Sequence, residues 1–120
     1  LIQCIAEVRC VPEQHLVASS GSSSLMFTAL PRLLDTKSRV LMLEPTYGEY
    51  GHILRHLIGC TMEGLPVGTS TQPEARLLAE LRKLTPAYDM VILVNPNSPT
   101  GTYLDLAGYA AEMRQAAPNT

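Results

Sequence analysis

The stretch Met90-Val91-Ile92-Leu93-Val94-Asn95-Pro96-Asn97-Ser98-Pro99-Thr100-Gly101 decides the fold class of this chain. Its first five residues are β-branched and aliphatic, which predicts a strand that is buried on both faces. A polar turn follows, in which Pro96 and Pro99 fix φ and lack an N–H donor. In an open α/β sheet, ligands bind at the carboxyl ends of such strands. The pattern therefore predicts a binding edge that carries Asn95, Asn97, Ser98 and Thr100, although a strand that ends in an ordinary Asn/Pro/Ser turn fits equally well.

Length and composition limit the class of protein. A chain of 120 residues forms one domain at most, and 46% hydrophobic with 17% charged residues is typical of a globular domain. The net charge is −2 and the nine basic residues are scattered, which argues against binding to nucleic acid or to an anionic membrane. The sequence has no apolar run of the length that spans a bilayer, and it shows no signal peptide. We therefore expect a cytoplasmic protein.

The cysteines and histidines do not predict a metal site. Cys4, Cys10 and Cys60 are odd in number and lack metal-ligand spacing, so free thiols in a reducing compartment are expected. His52 and His56 are four residues apart and could grip a metal, but no third ligand is evident, and a solvated helix face is favoured. The chain begins at Leu1 within a helix-like segment. We expect that both of its ends are cut from a longer protein.

Strand-like and helix-like segments alternate along the chain, which predicts an α/β fold. Because β-then-α order repeats, parallel strands joined by right-handed crossovers in a three-layer α/β/α sandwich are expected. The loop over residues 67–72 leads to Pro73 in the first turn of a helix. The predicted strands are Leu16–Ala18, Arg39–Glu44, Cys60–Leu65 and Met90–Val94. The predicted helices lie around residues 1–9, 26–33, 50–58, 77–84 and 106–117, with Gly59 and Asp105 as end signals.

Three unusual loops each follow a predicted strand, so a parallel sheet would bring them to one edge. The loop Ser19–Ser24 enters a helix, whose backbone N–H groups could hold a phosphate. It has one glycine and no adjacent lysine, so it is neither the dinucleotide fingerprint nor the nucleotide P-loop, and a simple capping turn remains the alternative. In the second loop, Pro45–Gly48, a flat ligand ring could stack on Tyr47, although Tyr47 could equally well cover the sheet edge. The third loop is the Asn/Pro turn.

The order SSGSSS, LEPTYGEY and VNPNSPTG resembles the large domain of fold-type-I pyridoxal-phosphate enzymes, the class I and II aminotransferases. It is most similar to the branch that holds histidinol-phosphate aminotransferases and threonine-phosphate decarboxylases, and the likeness covers nearly the whole chain. The resemblance implies pyridoxal 5′-phosphate as cofactor, with Gly21, Ser22 and Ser23 at its phosphate and Tyr47 stacked on its ring. The residue before Pro99-Thr100-Gly101 would bind the phenolic oxygen of the cofactor. This residue is Ser98, where the family usually has Asn; either Ser98 serves directly or the preceding Asn97 takes part.

The resemblance also implies an activity and an assembly. The intact enzyme would be a homodimer that passes an amino group between an amino acid and a 2-oxo acid. Lys37 and Lys83 are the only lysines, and neither lies in the Ser-x-x-Lys setting of the family's catalytic lysine. We therefore assign no catalytic residue and expect residues 1–120 to be a partial large domain, inactive alone, without the small domain and the lysine segment. The alternatives are a decarboxylase of the phosphothreonine type, a phosphate- or nucleotide-binding module, and a non-catalytic interaction fragment.

Overall fold

The computed structural model describes residues 1–67 and 74–120. Of the predicted loop over residues 67–72, all but Val67 lies outside the described residues, as does the predicted helix start at Pro73. The strands are β1 (Arg39–Glu44), β2 (Thr61–Pro66) and β3 (Met90–Ile92). The helices are α1 (Ile2–Arg9), α2 (Ser22–Leu33), α3 (Gly48–His52, continued by a π-helical segment over Ile53–Ile58), α4 (Glu74–Leu84) and α5 (Leu106–Ala116), with short 3₁₀ turns at Glu13–His15 and Thr85–Ala87.

The sheet has the order β2-β1-β3, and both pairs of strands are parallel. Residues Arg39 to Glu44 of β1 pair with Thr61 to Pro66 of β2, and Val40 to Met42 pair with Met90 to Ile92 of β3. β1 is therefore the central strand, and its four inner residues are all buried. The parallel α/β prediction is confirmed.

Helices cover both faces of the sheet, which makes three layers. Because side chains alternate along a strand, Val40 and Met42 point to one face and Leu41 and Leu43 to the other. The first pair packs with residues of α2 and α3, and the second with residues of α4 and α5. The first cluster contains Leu30, Leu34, Ile53, Leu54 and Cys60, and the second contains Leu65, Val67, Leu77, Leu81, Tyr88, Leu104 and Tyr109.

The sheet reverses its direction of growth between β1 and β3. From β1 the chain crosses by α3 to β2 on one side, and then returns by α4 to place β3 on the other side of β1. A crevice between the carboxyl ends of two strands at such a reversal is the usual ligand site of open α/β sheets. The fold therefore points to the space beyond Glu44 and Ile92.

Local signals explain where several elements begin and end. Asp105 caps α5, since its carboxylate accepts a hydrogen bond from the Ala107 amide at 3.3 Å. Gly59 ends the π-helical segment with φ at 76°, in the left-handed region that favours glycine.

Burial raises the pKa of Tyr109 on α5, whose hydroxyl lies 2.5 Å from that of Thr85. No helix within residues 1–67 and 74–120 combines the length and the apolar character that crossing a bilayer requires.

Two of the predicted strands need correction. The prediction of a strand over Leu16–Ala18 is wrong: this segment pairs with no strand of the described chain. A strand needs a hydrogen-bonding neighbour, and apolar residues alone do not provide one. The strand predicted over Met90–Val94 stops at Ile92 and is only half-buried, because β3 is one of the two edge strands of the sheet. The position that is buried on both faces belongs to β1.

Candidate functional site

Two polar loops meet at the carboxyl edge of the sheet. The Pro45–Gly48 loop follows β1 and the Asn95–Gly101 turn lies beyond β3, and the two strands are parallel neighbours. The Thr46 hydroxyl donates a hydrogen bond to Oδ1 of Asn97 at 2.7 Å. The Glu44–Pro45, Asn95–Pro96 and Ser98–Pro99 peptide bonds are cis. The structure thus brings together two of the three loops singled out in the sequence.

Asn97 is the buried polar centre of this edge. Its side chain is only 2% exposed, and its Nδ2 donates to the Pro45 carbonyl at 2.8 Å and to Oγ1 of Thr100 at 2.9 Å. Since Oδ1 accepts from Thr46, both amide hydrogens and one acceptor position of this side chain are used within the protein. The side chain of Asn97 is therefore committed to joining the two loops.

Asn95 makes a second connection within the turn. Its Nδ2 donates to the Leu104 carbonyl at 2.8 Å, and its Oδ1 accepts from the Leu104 amide at 2.9 Å. The pair of bonds ties the returning chain to the end of β3. Sequence reasoning placed Asn95 at the edge but missed this role; an Asn directly after a strand was the available signal, while its partner nine residues later was not visible.

Ser98 and Tyr47 are the exposed members of the predicted set at this edge. Ser98 directly follows buried Asn97 and is exposed, and no hydrogen bond described for residues 1–67 and 74–120 uses its hydroxyl. The Tyr47 ring is 41% exposed and meets the ring of Tyr50 edge-on, with centroids 6.3 Å apart. Both side chains can therefore contact a ligand.

The predicted phosphate loop lies at the amino end of α2. Gly21 is the N-cap residue with φ at 145°, a conformation that is essentially restricted to glycine, and Ser22 and Ser23 begin the helix. The first N–H groups of a helix have no partner within it, so they are available to an anion. The expectation that this loop follows a strand is wrong, because Leu16–Ala18 is not one. Its position depends on α2 instead.

The course of α2 directs this loop towards the same edge of the sheet. α2 ends at Leu33, and β1 begins at Arg39 after a short turn. Since Leu30 of α2 packs with Val40 and Met42 of β1, this short connection implies that the helix runs roughly antiparallel to the strand. Phe27 of α2 lies beside His52 of α3, with ring centroids 6.2 Å apart. None of the hydrogen bonds in the described ranges joins the serine loop to the Pro45–Gly48 loop or to the Asn/Pro turn. Hydrogen bonds within the described residues therefore join only two of the three loops.

A cavity of about 370 Å³ opens beside Tyr47, and Thr46, Gly51, His52, Arg55 and His56 contribute to its wall. The rings of His52 and His56 are 5.2 Å apart. Within residues 1–67 and 74–120, no group of three His, Cys, Asp or Glu side chains is placed to hold a metal ion. Cys4, Cys10 and Cys60 are free thiols, of which only Cys60 is buried.

Both lysines of the chain lie at the opposite edge of the sheet. Lys37 belongs to the turn before β1, where its amide donates to the carboxylate of Asp35 at 2.8 Å. Lys83 lies in the last turn of α4, just before the connection to β3. The amino ends of β1 and β3 are therefore near the lysines, and the carboxyl ends carry the candidate site.

Comparisons with known proteins agree with this architecture. The family model described as "Aminotransferase class I and II" matches residues 1–113. The histidinol-phosphate aminotransferase of Lactiplantibacillus plantarum is 30% identical over 123 residues, which cover 100% of this chain and 33% of that protein. An aminotransferase from Mycobacterium tuberculosis superimposes with a TM-score of 0.75 at 31% identity, covering 97% of this chain and 31% of that one.

A second solved structure has the same fold. Histidinol-phosphate aminotransferase from Sinorhizobium meliloti, solved in complex with pyridoxal-5′-phosphate, superimposes with a TM-score of 0.72 at 19% identity, over 98% of this chain and 31% of that one. This chain spans about a third of the length of the curated relatives that it matches. Pyridoxal phosphate is the cofactor of the matching family. Since the family match extends over residues 1–113, the chain belongs to the class I and II aminotransferases.

Proposed function

We propose that this chain forms the cofactor-binding part of a pyridoxal-phosphate-dependent aminotransferase, which passes an amino group between an amino acid and a 2-oxo acid. One observation carries the proposal. The two loops at the reversal point of the sheet are joined through Thr46 and Asn97, and they present Tyr47 and Ser98 outwards. This is the place at which an open α/β sheet takes its ligand.

The residues present fit the cofactor group by group. The free N–H groups and hydroxyls of Ser22 and Ser23 suit a phosphate, and Gly21 has no atom within 4 Å of the position of an added Cβ, which leaves the loop open. The exposed ring of Tyr47 suits an aromatic pyridine. Ser98 would donate its hydroxyl to the phenolic oxygen of the cofactor. Asn97 is an unsuitable donor, because both of its amide hydrogens are already used.

The cofactor and the protein would have different roles in the proposed reaction. When bound, pyridoxal phosphate supplies an electron sink that lowers the cost of breaking a bond at the α-carbon of the amino acid. The protein binds and orients the group: the serine loop would hold the phosphate, Tyr47 would cover one face of the ring against water, and Ser98 would fix its phenolic edge. These roles are binding and orientation, so none of these residues is proposed to transfer a proton.

We also propose that residues 1–120 are a partial large domain and do not catalyse transamination alone. The positions of Lys37 and Lys83 support this, since both lie at the edge of the sheet opposite the candidate site. Mixing the chain with pyridoxal phosphate, an amino acid and a 2-oxo acid should give no turnover above the protein-free rate. Turnover that depends on the chain would contradict this. Release of CO₂ instead of a new amino acid would favour the decarboxylase alternative.

An amino-acid substrate, a homodimeric assembly and a cytoplasmic location belong to the same proposal for the intact enzyme. They rest on the family to which the chain belongs. Sedimentation equilibrium of the intact enzyme tests the assembly, and a monomer at all concentrations would count against the homodimer.

A binding experiment tests the cofactor role directly. Pyridoxamine 5′-phosphate is the suitable probe, because it lacks the aldehyde that would react with surface lysines. We expect saturable binding by calorimetry, and at least about tenfold weaker binding of pyridoxamine, which lacks the phosphate. Equal affinity for both compounds, or no binding of either, would contradict the proposal. Binding of a nucleotide but not of pyridoxamine phosphate would favour the nucleotide module.

A further inference from the structure

We infer that Asn97 is a positioning residue whose buried side chain sets how Tyr47 and Ser98 lie relative to one another. The inference rests on the proposed cofactor role of these two residues. Thr46 and Asn97 are hydrogen-bonded to each other, and each is followed directly by one of the two residues: Tyr47 follows Thr46, and Ser98 follows Asn97. A single side chain thus connects the loop that faces the ring to the residue that faces the phenolic oxygen.

The strand ladder does not reach these residues. Registered pairing between β1 and β3 ends at Met42 and Ile92, before either loop begins. The hydrogen bonds described between the Pro45–Gly48 loop and the Asn95–Gly101 turn both use the side chain of Asn97. Beyond the last backbone pair, the side-chain amide of Asn97 therefore holds these two segments of the chain in register.

The contacts of Asn97 require an amide in one orientation. Its Nδ2 must face the Pro45 carbonyl, at 2.8 Å, while its Oδ1 faces the Thr46 hydroxyl, at 2.7 Å. Its backbone is fixed as well, since its N–H donates to the Thr102 carbonyl and its carbonyl accepts from the Gly101 amide, both at 2.7 Å. An aspartate here would set a carboxylate oxygen against the Pro45 carbonyl, so Asn97→Asp should disrupt the connection as much as Asn97→Ala does.

The test measures the orientation of the bound ring. A change in the stability of the chain alone would not alter this quantity at saturation. Pyridoxamine 5′-phosphate is bound to the 120-residue chain, and the induced circular dichroism of its ring is recorded at saturation, per bound molecule. We expect Asn97→Ala and Asn97→Asp to lower this signal at least about threefold and to weaken binding about tenfold, as expected when a fixed hydrogen-bonded contact is lost. Thr46→Val should lower the signal too, and Thr46→Ser, which keeps the hydroxyl, should restore it.

Asn95→Ala is the matched control. It removes two hydrogen bonds of the same turn, but those bonds lead to Leu104 and not to the loop of Tyr47. It should lower stability and leave the induced signal of the saturated chain unchanged. The inference is overturned if the Asn97 variants keep the wild-type signal at saturation, or if Asn95→Ala loses as much of it.

A second measurement, without cofactor, separates this inference from the proposed function. In amide NMR spectra of the free chain, Thr46→Val should shift the signals of both Tyr47 and Ser98, and Asn95→Ala should shift that of Leu104 without moving Tyr47. If the wild-type chain binds no pyridoxamine phosphate, the proposed function fails while this comparison still reports on the connection. Because Tyr47 directly follows the substituted residue, the Ser98 signal decides: an unmoved Ser98 signal in Thr46→Val would overturn the positioning role.

Discussion

The Asn/Pro turn and the serine loop are both polar segments of the candidate site, yet their polar groups are used differently. In the turn, the side chain of Asn95 is bonded to Leu104 and that of Asn97 to Pro45, Thr46 and Thr100. In the loop, Gly21 begins a helix whose first amide groups have no partner within it. The hydroxyls of Ser22 and Ser23 form none of the side-chain hydrogen bonds described for residues 1–67 and 74–120.

From this difference we propose that the turn has a structural role and that the serine loop is available to a ligand. A buried polar group that is bonded to the protein contributes to stability, and its removal leaves its partners without a hydrogen bond. A free N–H or hydroxyl at a helix start contributes little to folding but can meet an anion. We therefore expect substitutions of Asn95 and Asn97 in the turn to change stability first, and loss of a serine hydroxyl in the loop to change binding first.

The largest effect is expected at the centre of the turn. Asn97→Ala should lower the free energy of unfolding by about 2–3 kcal/mol, because the Pro45 carbonyl and the Thr46 hydroxyl lose their described side-chain partner and the Thr100 hydroxyl loses one of its partners. Urea unfolding followed by circular dichroism measures this. A loss of less than about 0.5 kcal/mol, the range of ordinary surface substitutions, would remove the contrast between the two regions.

The next effect concerns the backbone of the loop. Gly21→Ala should cost about 1–2 kcal/mol, because its φ of 145° is strained for any residue with a Cβ. No atom lies within 4 Å of the added Cβ, so the cost arises from the backbone and not from a clash. Gly108→Ala is the matched control, since it also meets open space but lies within α5 without a positive φ. It should be neutral or stabilising in the same unfolding assay.

A smaller effect, on binding alone, is expected from the serine hydroxyls. Ser23→Ala should change the free energy of unfolding by less than about 0.5 kcal/mol and weaken binding of pyridoxamine 5′-phosphate about fivefold, since one donor to the phosphate is lost. Calorimetry and urea unfolding of the same preparation separate the two quantities. A stability loss as large as that of Asn97→Ala would show that the loop is also a structural corner.

The smallest effect is expected at Ser98. Restoring the residue that the family usually has, by Ser98→Asn, should tighten binding of pyridoxamine 5′-phosphate by about threefold, because the longer amide reaches further than a hydroxyl. Ser98→Ala should weaken it by a similar factor, about threefold. Stability should stay unchanged in both, since Ser98 is exposed. Equal affinity of the wild type and the two Ser98 variants would show that Ser98 does not belong to the proposed site.

The sequence predicted the regular parts of the fold because their signals are local. β1 has its predicted bounds, Arg39 and Glu44, which flank the apolar run Val40–Leu43, and the cap at Asp105 depends on a residue only two positions away. The strand over Leu16–Ala18 was wrong because pairing depends on a partner elsewhere in the chain. β3 was predicted too long for a related reason, since its burial depends on how many strands flank it.

The site was predicted less completely than the fold. Parallel strands sufficed to bring Tyr47 and the Asn/Pro turn to one edge. Which polar group faces the protein and which faces outwards could not be read from the sequence, because the contact of Thr46 with Asn97 spans 51 positions. The roles of Asn97 and Ser98, which the sequence left open, are separated only by burial and by these long-range bonds.

We propose that the serine loop, Tyr47 and Ser98 form a single rim around one ligand. An NMR titration of the chain with pyridoxamine 5′-phosphate, which follows the amide signals of Ser22, Tyr47 and Ser98 together, distinguishes one site from two. We expect all three signals to shift and to saturate with one dissociation constant. If Ser22 responds with a different constant from Tyr47 and Ser98, or does not respond, the three loops do not form one site.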